Sequence, residues 1–216
     1  MALRAVVFDY GMVLTGEPDA EAYAALLRIT GLPRDQFEPR YWADRLALDA
    51  GKITGLAFWQ KFLHDAGMAP DQQMAEELNR WDVRLWTAQN PVILAWQLAL
   101  KQRGLLTAIL SNMGDDVLAS VEREFDWIHR FDVLVLSCQV GVVKPDPAIY
   151  RHTLTELGVE PEEALFIDDK IANIVTARAL GMKAIEFSTV ELLRAELVAE
   201  GFDAQLPLPV EEETKI

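Results

Sequence analysis

A lone carboxylate, Asp9, stands in the stretch FDYGMVLT directly after a largely apolar run, where a buried strand should end. A carboxylate in that place can act as a nucleophile or hold a metal ion. A second carboxylate two residues on would complete an acid/base pair, but the chain has Gly11 there, and glycine has no side chain to carry a proton. Ser111 and Asn112 close a second apolar run, ILSN, Asp168 and Asp169 close another, FIDD, and Lys144 and Pro145 follow the apolar run at 133–137 after a short loop. Singly, each has an ordinary reading, since Asp, Ser and Asn cap helices and Lys144 could be a surface lysine ahead of a Pro-started helix. Together they set a carboxylate, a hydroxyl, an ammonium and a carboxylate pair at four strand ends. Ligands of open α/β sheets bind beyond those ends, so the set predicts one crevice.

The elements that must carry these groups are legible as short runs of Val, Ile, Leu and Phe. They predict buried parallel strands over residues 4–9, 106–112, 133–137 and 164–168, with a fifth over 183–187. Helical patterns follow at 91–103, 115–125, 147–157, 170–180 and 190–200. That alternation predicts an α/β, doubly wound parallel sheet. Between the first strand and residue 91 the alternation stops, and residues 19–86 read as helices alone, separated by 31–33, 51–54 and 67–70. The expected division is a core from 1–16 and 88–204 with a helical module from 17–87 inserted in it. The module's Trp42, Trp59, Trp81 and Trp86 are expected to fill its own core rather than stack on a ligand. Residues 205–216, with two prolines and three consecutive glutamates, are expected to form a mobile tail.

The stretches FDYGMVL, ILSN, VGVVKPDPAIY and FIDDKIANIVTARALGM resemble, in order and separation, the four motifs of the haloacid dehalogenase-like (HAD) hydrolase superfamily. The resemblance covers nearly the whole chain. It implies a Rossmann-like core and an inserted α-helical cap that closes over the substrate. It implies Asp9 as the nucleophile of a phosphatase that passes through an aspartyl-phosphate. Magnesium would be held by Asp9, the Gly11 carbonyl and Asp169, with Asp168 as an outer or alternate ligand. Asn173 would hold a metal-bound water or orient the loop. Ser111 and the Asn112 amide would bind phosphoryl oxygens, and Lys144 would neutralise developing charge. Most phosphatases of the superfamily carry aspartate at the Gly11 position. Its loss removes the acid but leaves the backbone carbonyl, and favours a leaving group that needs little protonation, such as the anomeric oxygen of a sugar phosphate.

Other readings stay open at this point. A 2-haloacid dehalogenase also uses an aspartate nucleophile and needs neither acid nor metal, but it has no evident use for the pair at 168 and 169. Phosphonate cleavage through a Schiff base on Lys52 or Lys61 is another reading, and a degenerate member kept as an interaction module is a third. A phosphate-loop reading of GKIT fails, because Leu46 and Ile53 stand where a glycine and a Ser or Thr belong. Substrate choice is expected among Tyr41, Arg45, Lys52 and Lys61 of the module.

With 34 acidic against 20 basic residues the net charge is −14, which opposes binding to nucleic acid or anionic membranes. The resemblance implies a small phosphate ester as the partner, and the oligomeric state stays open. The single cysteine, Cys138, excludes an intramolecular disulfide and reads as a small buried hydrophobe. His64, His129 and His152 fall in none of the motifs. No apolar run is long enough to span a bilayer, and a cytoplasmic location is expected.

Overall fold

The computed structural model describes residues 2–69 and 71–209. Five short strands form one parallel sheet: β1 (Ala5–Phe8), β2 (Leu106–Ser111), β3 (Val133–Leu136), β4 (Ala164–Asp168) and β5 (Lys183–Glu186), the last at an edge with charged, exposed ends. Their order across the sheet is β3-β2-β1-β4-β5. The register places Phe8 opposite both Ile109 and Ile167, so Asp9, Ser111 and Asp168 leave the sheet at one edge. Residues one apart on a strand face opposite sides of a sheet, and both sides here are apolar. Val6, Phe8, Ile109 and Ile167 belong to one buried cluster, and Ala5, Val7, Ala108 and Phe166 to the other.

Helices cover both faces. Among the described residues the α-helices are α1 (Ala20–Thr30), α2 (Arg34–Ala43), α3 (Arg45–Asp49), α4 (Gly55–Asp65), α5 (Gln72–Leu85), α6 (Pro91–Gln102), α7 (Asp115–Glu124), α8 (Ser137–Val140), α9 (Pro147–Leu157), α10 (Ile171–Ala179) and α11 (Val190–Ala199). Against the Phe8 face lie Ile93, Trp96 and Leu100 of α6, Val121 of α7 and Leu193 and Leu197 of α11. Against the Val7 face lie Ile149, Tyr150 and Leu154 of α9 and Ile174 and Ala177 of α10.

Helices α1 to α5 have a third core of their own, built around Leu26, Phe37, Phe58, Trp59, Phe62, Leu63 and Leu78. Polar residues set where these helices start: Asp19 accepts from the Ala22 amide, Thr54 from Ala57 and Asp71 from Met74. Asn90 caps α6 in the same way, with Pro91 at its first turn, and so returns the chain to the sheet.

The tail expectation needs correction over its first five residues. Leu206 and Leu208 are buried in the core on the Phe8 face, and the Gln205 side chain exchanges hydrogen bonds with the Leu3 backbone. Arg194 of α11 also donates to the Leu208 and Pro209 carbonyls. Two leucines among the prolines supply enough apolar area to hold the segment down, which its composition as a whole concealed. Residues 210–216 lie outside the described residues.

Candidate active site

Asp9 follows β1, and its amide donates to the Ile167 carbonyl at 2.9 Å. Its Oδ1 accepts from the Tyr10 amide at 2.7 Å, which fixes the carboxylate against the start of the next turn. The chain then turns sharply. Met12 adopts a left-handed φ of 63°, held because its amide donates to Thr15 Oγ1 at 3.0 Å while the Thr15 amide donates to the Tyr10 carbonyl at 2.9 Å. Gly11 itself has an ordinary φ of −64° and ψ of 137°.

The centre of the site is Lys144, which is 2% exposed. Its Nζ lies 2.8 Å from Asp9 Oδ1 and 2.6 Å from Asp168 Oδ2, and it donates to the Leu110 carbonyl at 2.9 Å. The Asn112 side chain holds the lysine's backbone from both sides, accepting from the Lys144 amide at 2.7 Å and donating to its carbonyl at 3.0 Å. Asp168 is wholly buried, and both its oxygens accept from Asn173 Nδ2 at 2.9 Å. Asn173 thus orients Asp168, and through it the lysine. Asp169 is half-buried and lines the crevice, where Asp168 does not.

One carboxylate oxygen each from Asp9, Asp168 and Asp169 lies within 4.8 Å of the others. The electrostatics reflect this crowding. Burial, reinforced by Asp168 and Asp169, pushes the Asp9 carboxyl up to about 7 against the opposing pull of Lys144. Burial raises Asp169 as well, with Asp168 adding to it. Burial opposes ionisation of Asp168 too, but Lys144, the Lys170 amide and Asn173 together hold it below the usual range. Burial alone would lower Lys144, yet its two carboxylate neighbours raise it.

A crevice of about 290 Å³ opens beyond the strand ends, lined from the core by Asp9, Gly11, Ser111, Asn112, Lys144 and Asp169. From the helical module it is lined by Trp42, Arg45, Asp49 and Trp86. Two of the four tryptophans therefore face the crevice rather than serving only as core. Trp42 is 49% exposed, and the Trp86 ring would lie 3.6 Å from a Cβ at Gly11. Trp59 is fully buried and Trp81 packs against the module's core, as expected for both.

Of the four module residues expected to select substrate, the structure brings only Arg45 to the crevice. Tyr41 is buried and donates to Asp82 at 2.6 Å. Lys52 is exposed elsewhere, and Lys61 pairs with Asp44 and Asp65 on the surface. The histidines are exposed and do not line the crevice. Cys138 is half-buried, and burial and Asp115 push its thiol up to about 12, far from a thiolate.

Sequence reasoning missed Asp49, Tyr10 and Ser137. The Tyr10 hydroxyl donates to the Trp86 carbonyl at 2.7 Å, and Ser137 Oγ, which accepts from the Met113 amide, donates to the Asp49 carbonyl. These bonds seat the module on the strand ends. Gly51 was the available signal: it has φ +65°, and a Cβ there would stand 2.7 Å from the Cys138 carbonyl oxygen. Gly31 has a similar φ of +64° with open space around it. Both Gly→Ala changes should cost about 1–2 kcal/mol from backbone conformation. Gly51→Ala should lower the melting temperature clearly further, because the module must also lift from α8. Equal losses in the two variants would show that the close seat at Gly51 carries no weight.

The haloacid dehalogenase-like hydrolase family model matches residues 3–181. The chain belongs to that family and is a hydrolase. It is 31% identical over 232 residues to the bifunctional epoxide hydrolase 2 of Mus musculus, covering 97% of this chain and 41% of that protein, so the chain spans well under half of that relative's length. It is also 31% identical over 191 residues to Phosphatase MT3486 of Mycobacterium tuberculosis, covering 85% of this chain and 87% of that one.

Among solved structures, the HAD family enzyme bt-2542 of Bacteroides thetaiotaomicron, crystallised as a variant with magnesium and inorganic phosphate, superposes with a TM-score of 0.72. The pair shares 21% identity over 89% of this chain and all of the other, 100%. The L-2-haloacid dehalogenase of Xanthobacter autotrophicus gives a TM-score of 0.63 at 24% identity, over 99% of this chain and 92% of that one. At such identities these likenesses carry the fold. Among the described residues no helix is long and apolar enough to cross a membrane.

Proposed function

We propose that the protein is a magnesium-dependent phosphatase of small phosphorylated metabolites, with Asp9 as nucleophile and the helical module as a cap over the substrate. The observation that carries this reading is the trio Asp9, Asp168 and Asp169 gathered at one point, the first two paired with the ammonium of Lys144. Three carboxyls against Lys144 and, at the crevice, Lys170 leave surplus negative charge where an anion must enter, and the all-oxygen donor set suits a hard divalent ion. Asp9, Asp169 and the Gly11 carbonyl would hold magnesium, which supplies the charge neutralisation that lets a carboxylate meet a phosphate. A haloacid dehalogenase would have no use for that donor set. The phosphatase named among the relatives and the magnesium and phosphate bound by bt-2542 support the same choice.

In this reading an Asp9 oxygen attacks phosphorus, the bond to the leaving oxygen breaks, and the leaving oxygen takes its proton from solvent. Water then attacks phosphorus, and the Asp9 oxygen departs as a carboxylate again. Ser111 and the Asn112 amide hydrogen-bond the phosphoryl oxygens, while Lys144 stabilises the charge that develops on them. Asn112, Asp168 and Asn173 keep Lys144 in place by the contacts described above. Hydrolysis of 4-nitrophenyl phosphate with and without magnesium, beside halide release from 2-chloropropionate, separates this reading from its rival. Halide release without phosphate release would overturn it.

Gly11 provides a sharper test. With no acid at that position, log kcat/KM should fall steeply with leaving-group pKa across aryl and alkyl phosphates. Gly11→Asp is sterically allowed, because its φ suits any L-residue and the new Cβ would meet only the Trp86 ring at ordinary contact distance. The variant should flatten the slope, chiefly by improving the poorest substrates. A shallow slope in the wild type would mean that another group already supplies the proton.

A further inference from the structure

The cap's wall of the crevice holds a charged cluster that the phosphoryl chemistry does not use. Arg45, 6% exposed, donates through Nη1 to both oxygens of Asp82, at 2.9 and 3.0 Å, and to the Tyr41 hydroxyl. Through Nε it donates to Asp49 Oδ1 at 3.1 Å. Its charge is therefore committed to two carboxylates. Asp49, 7% exposed, also lines the crevice, and its backbone is tied to the core through Ser137.

Among the described residues, Asp49 Oδ2 accepts no hydrogen bond and Arg45 Nη2 donates none, so this ion pair keeps one acceptor and one donor uncommitted. The aromatic rings of Trp42 and Trp86 line the same space. Lys170, at the crevice, lies with its ammonium 5.7 Å from the Trp42 ring centre. On the cap's side Arg45 stands against both Asp49 and Asp82, which leaves no net positive charge there to hold a second anion, while Lys170 comes from the core at the start of α10.

We infer that Asp49, paired with Arg45, is the specificity-determining residue of the crevice and selects an uncharged, hydroxyl-bearing leaving group of polyol or sugar type over a carboxylated one. A substrate hydroxyl donates to Asp49 Oδ2 while a neighbouring oxygen accepts from Arg45 Nη2, and the tryptophan rings cover the C–H face of such a molecule. A carboxylate in the same place meets Asp49 with like charge, beside a guanidinium already paired with Asp49 and Asp82. The crevice's 290 Å³, at the low end for small-molecule sites, limits the leaving group to about one sugar ring.

This inference rests on the phosphatase reading, and the two can fail separately. With magnesium present, wild-type enzyme is assayed on 4-nitrophenyl phosphate, then on glucose 1-phosphate and glycerol phosphate against phosphoserine and phosphoglycolate. No hydrolysis of any of them overturns the phosphatase reading and the inference together. Given activity, kcat/KM should favour the hydroxylated esters over the carboxylated ones by about tenfold or more, and Asp49→Asn should shrink that ratio by a similar factor. Equal or reversed preference in wild type overturns the inference without any variant. So does an unchanged ratio in Asp49→Asn. A preference for carboxylated esters that vanishes in Lys170→Gln would assign selection to Lys170 instead and overturn it as well.

Discussion

Asp9→Asn should leave a folded protein whose turnover of 4-nitrophenyl phosphate falls by several orders of magnitude, on the order of 10⁴-fold or more. The substitution keeps the shape of the side chain and a carbonyl oxygen for Lys144 Nζ and the Tyr10 amide, both of which now meet Asp9 Oδ1. What it removes is the charge and nucleophilicity of the attacking oxygen, which no nearby group replaces, because Asp168 is wholly buried with both oxygens engaged. The melting temperature should stay close to wild type or rise, since ionising Asp9 in its buried position is unfavourable. Retained turnover in a folded variant would remove Asp9 from the mechanism. Loss of the fold would mean that its contact with Lys144 is structural first.

The two members of the acidic pair should behave differently, although they are neighbours in sequence. Asp168→Ala takes a partner from Lys144 and leaves the buried Asn173 amide without its acceptor, so it should destabilise the protein by about 3–5 kcal/mol. Asp169 is half-buried and open to the crevice, and its carboxyl is raised rather than stabilised by its surroundings. Asp169→Ala should therefore leave stability nearly unchanged while raising the magnesium concentration needed for half-maximal activity at least tenfold. Chemical denaturation of both variants, together with calorimetric magnesium titration, distinguishes the roles. Equal metal affinity in wild type and Asp169→Ala would sink the proposed site, and equal stability in Asp168→Ala would contradict the lysine network.

Both arguments use residues that are visible in the sequence, yet the division of labour between them is not. FIDD shows two carboxylates at a strand end and cannot say which faces the crevice. In the structure Asp168 still belongs to β4, turned toward Lys144, and Asp169 is the first residue beyond it. Asn112 and Asn173 were likewise legible as site residues, and the structure adds that their side chains hold the Lys144 backbone and the Asp168 carboxylate.

The sequence by itself determined the sheet and the four strand ends. Each buried strand is a short apolar run, parallel register aligns the ends, and polar residues there have few places to go but the common crevice. Only the tertiary structure decided which face of the helical module meets that crevice. The contact that seats it, Ser137 Oγ to the Asp49 carbonyl, joins residues 88 apart, and the Tyr10 bond to Trp86 joins residues 76 apart. Trp42, Trp86 and Asp49 carry no local sign of their neighbours, because helical periodicity states which side chains are buried but not against what. Lys52 and Lys61 were attractive as charges and lie exposed, Lys61 paired at the surface, while Arg45 was drawn inward between Asp49 and Asp82, which share its charge. Pairing across the fold, rather than residue type, settled which charges could be buried at the site.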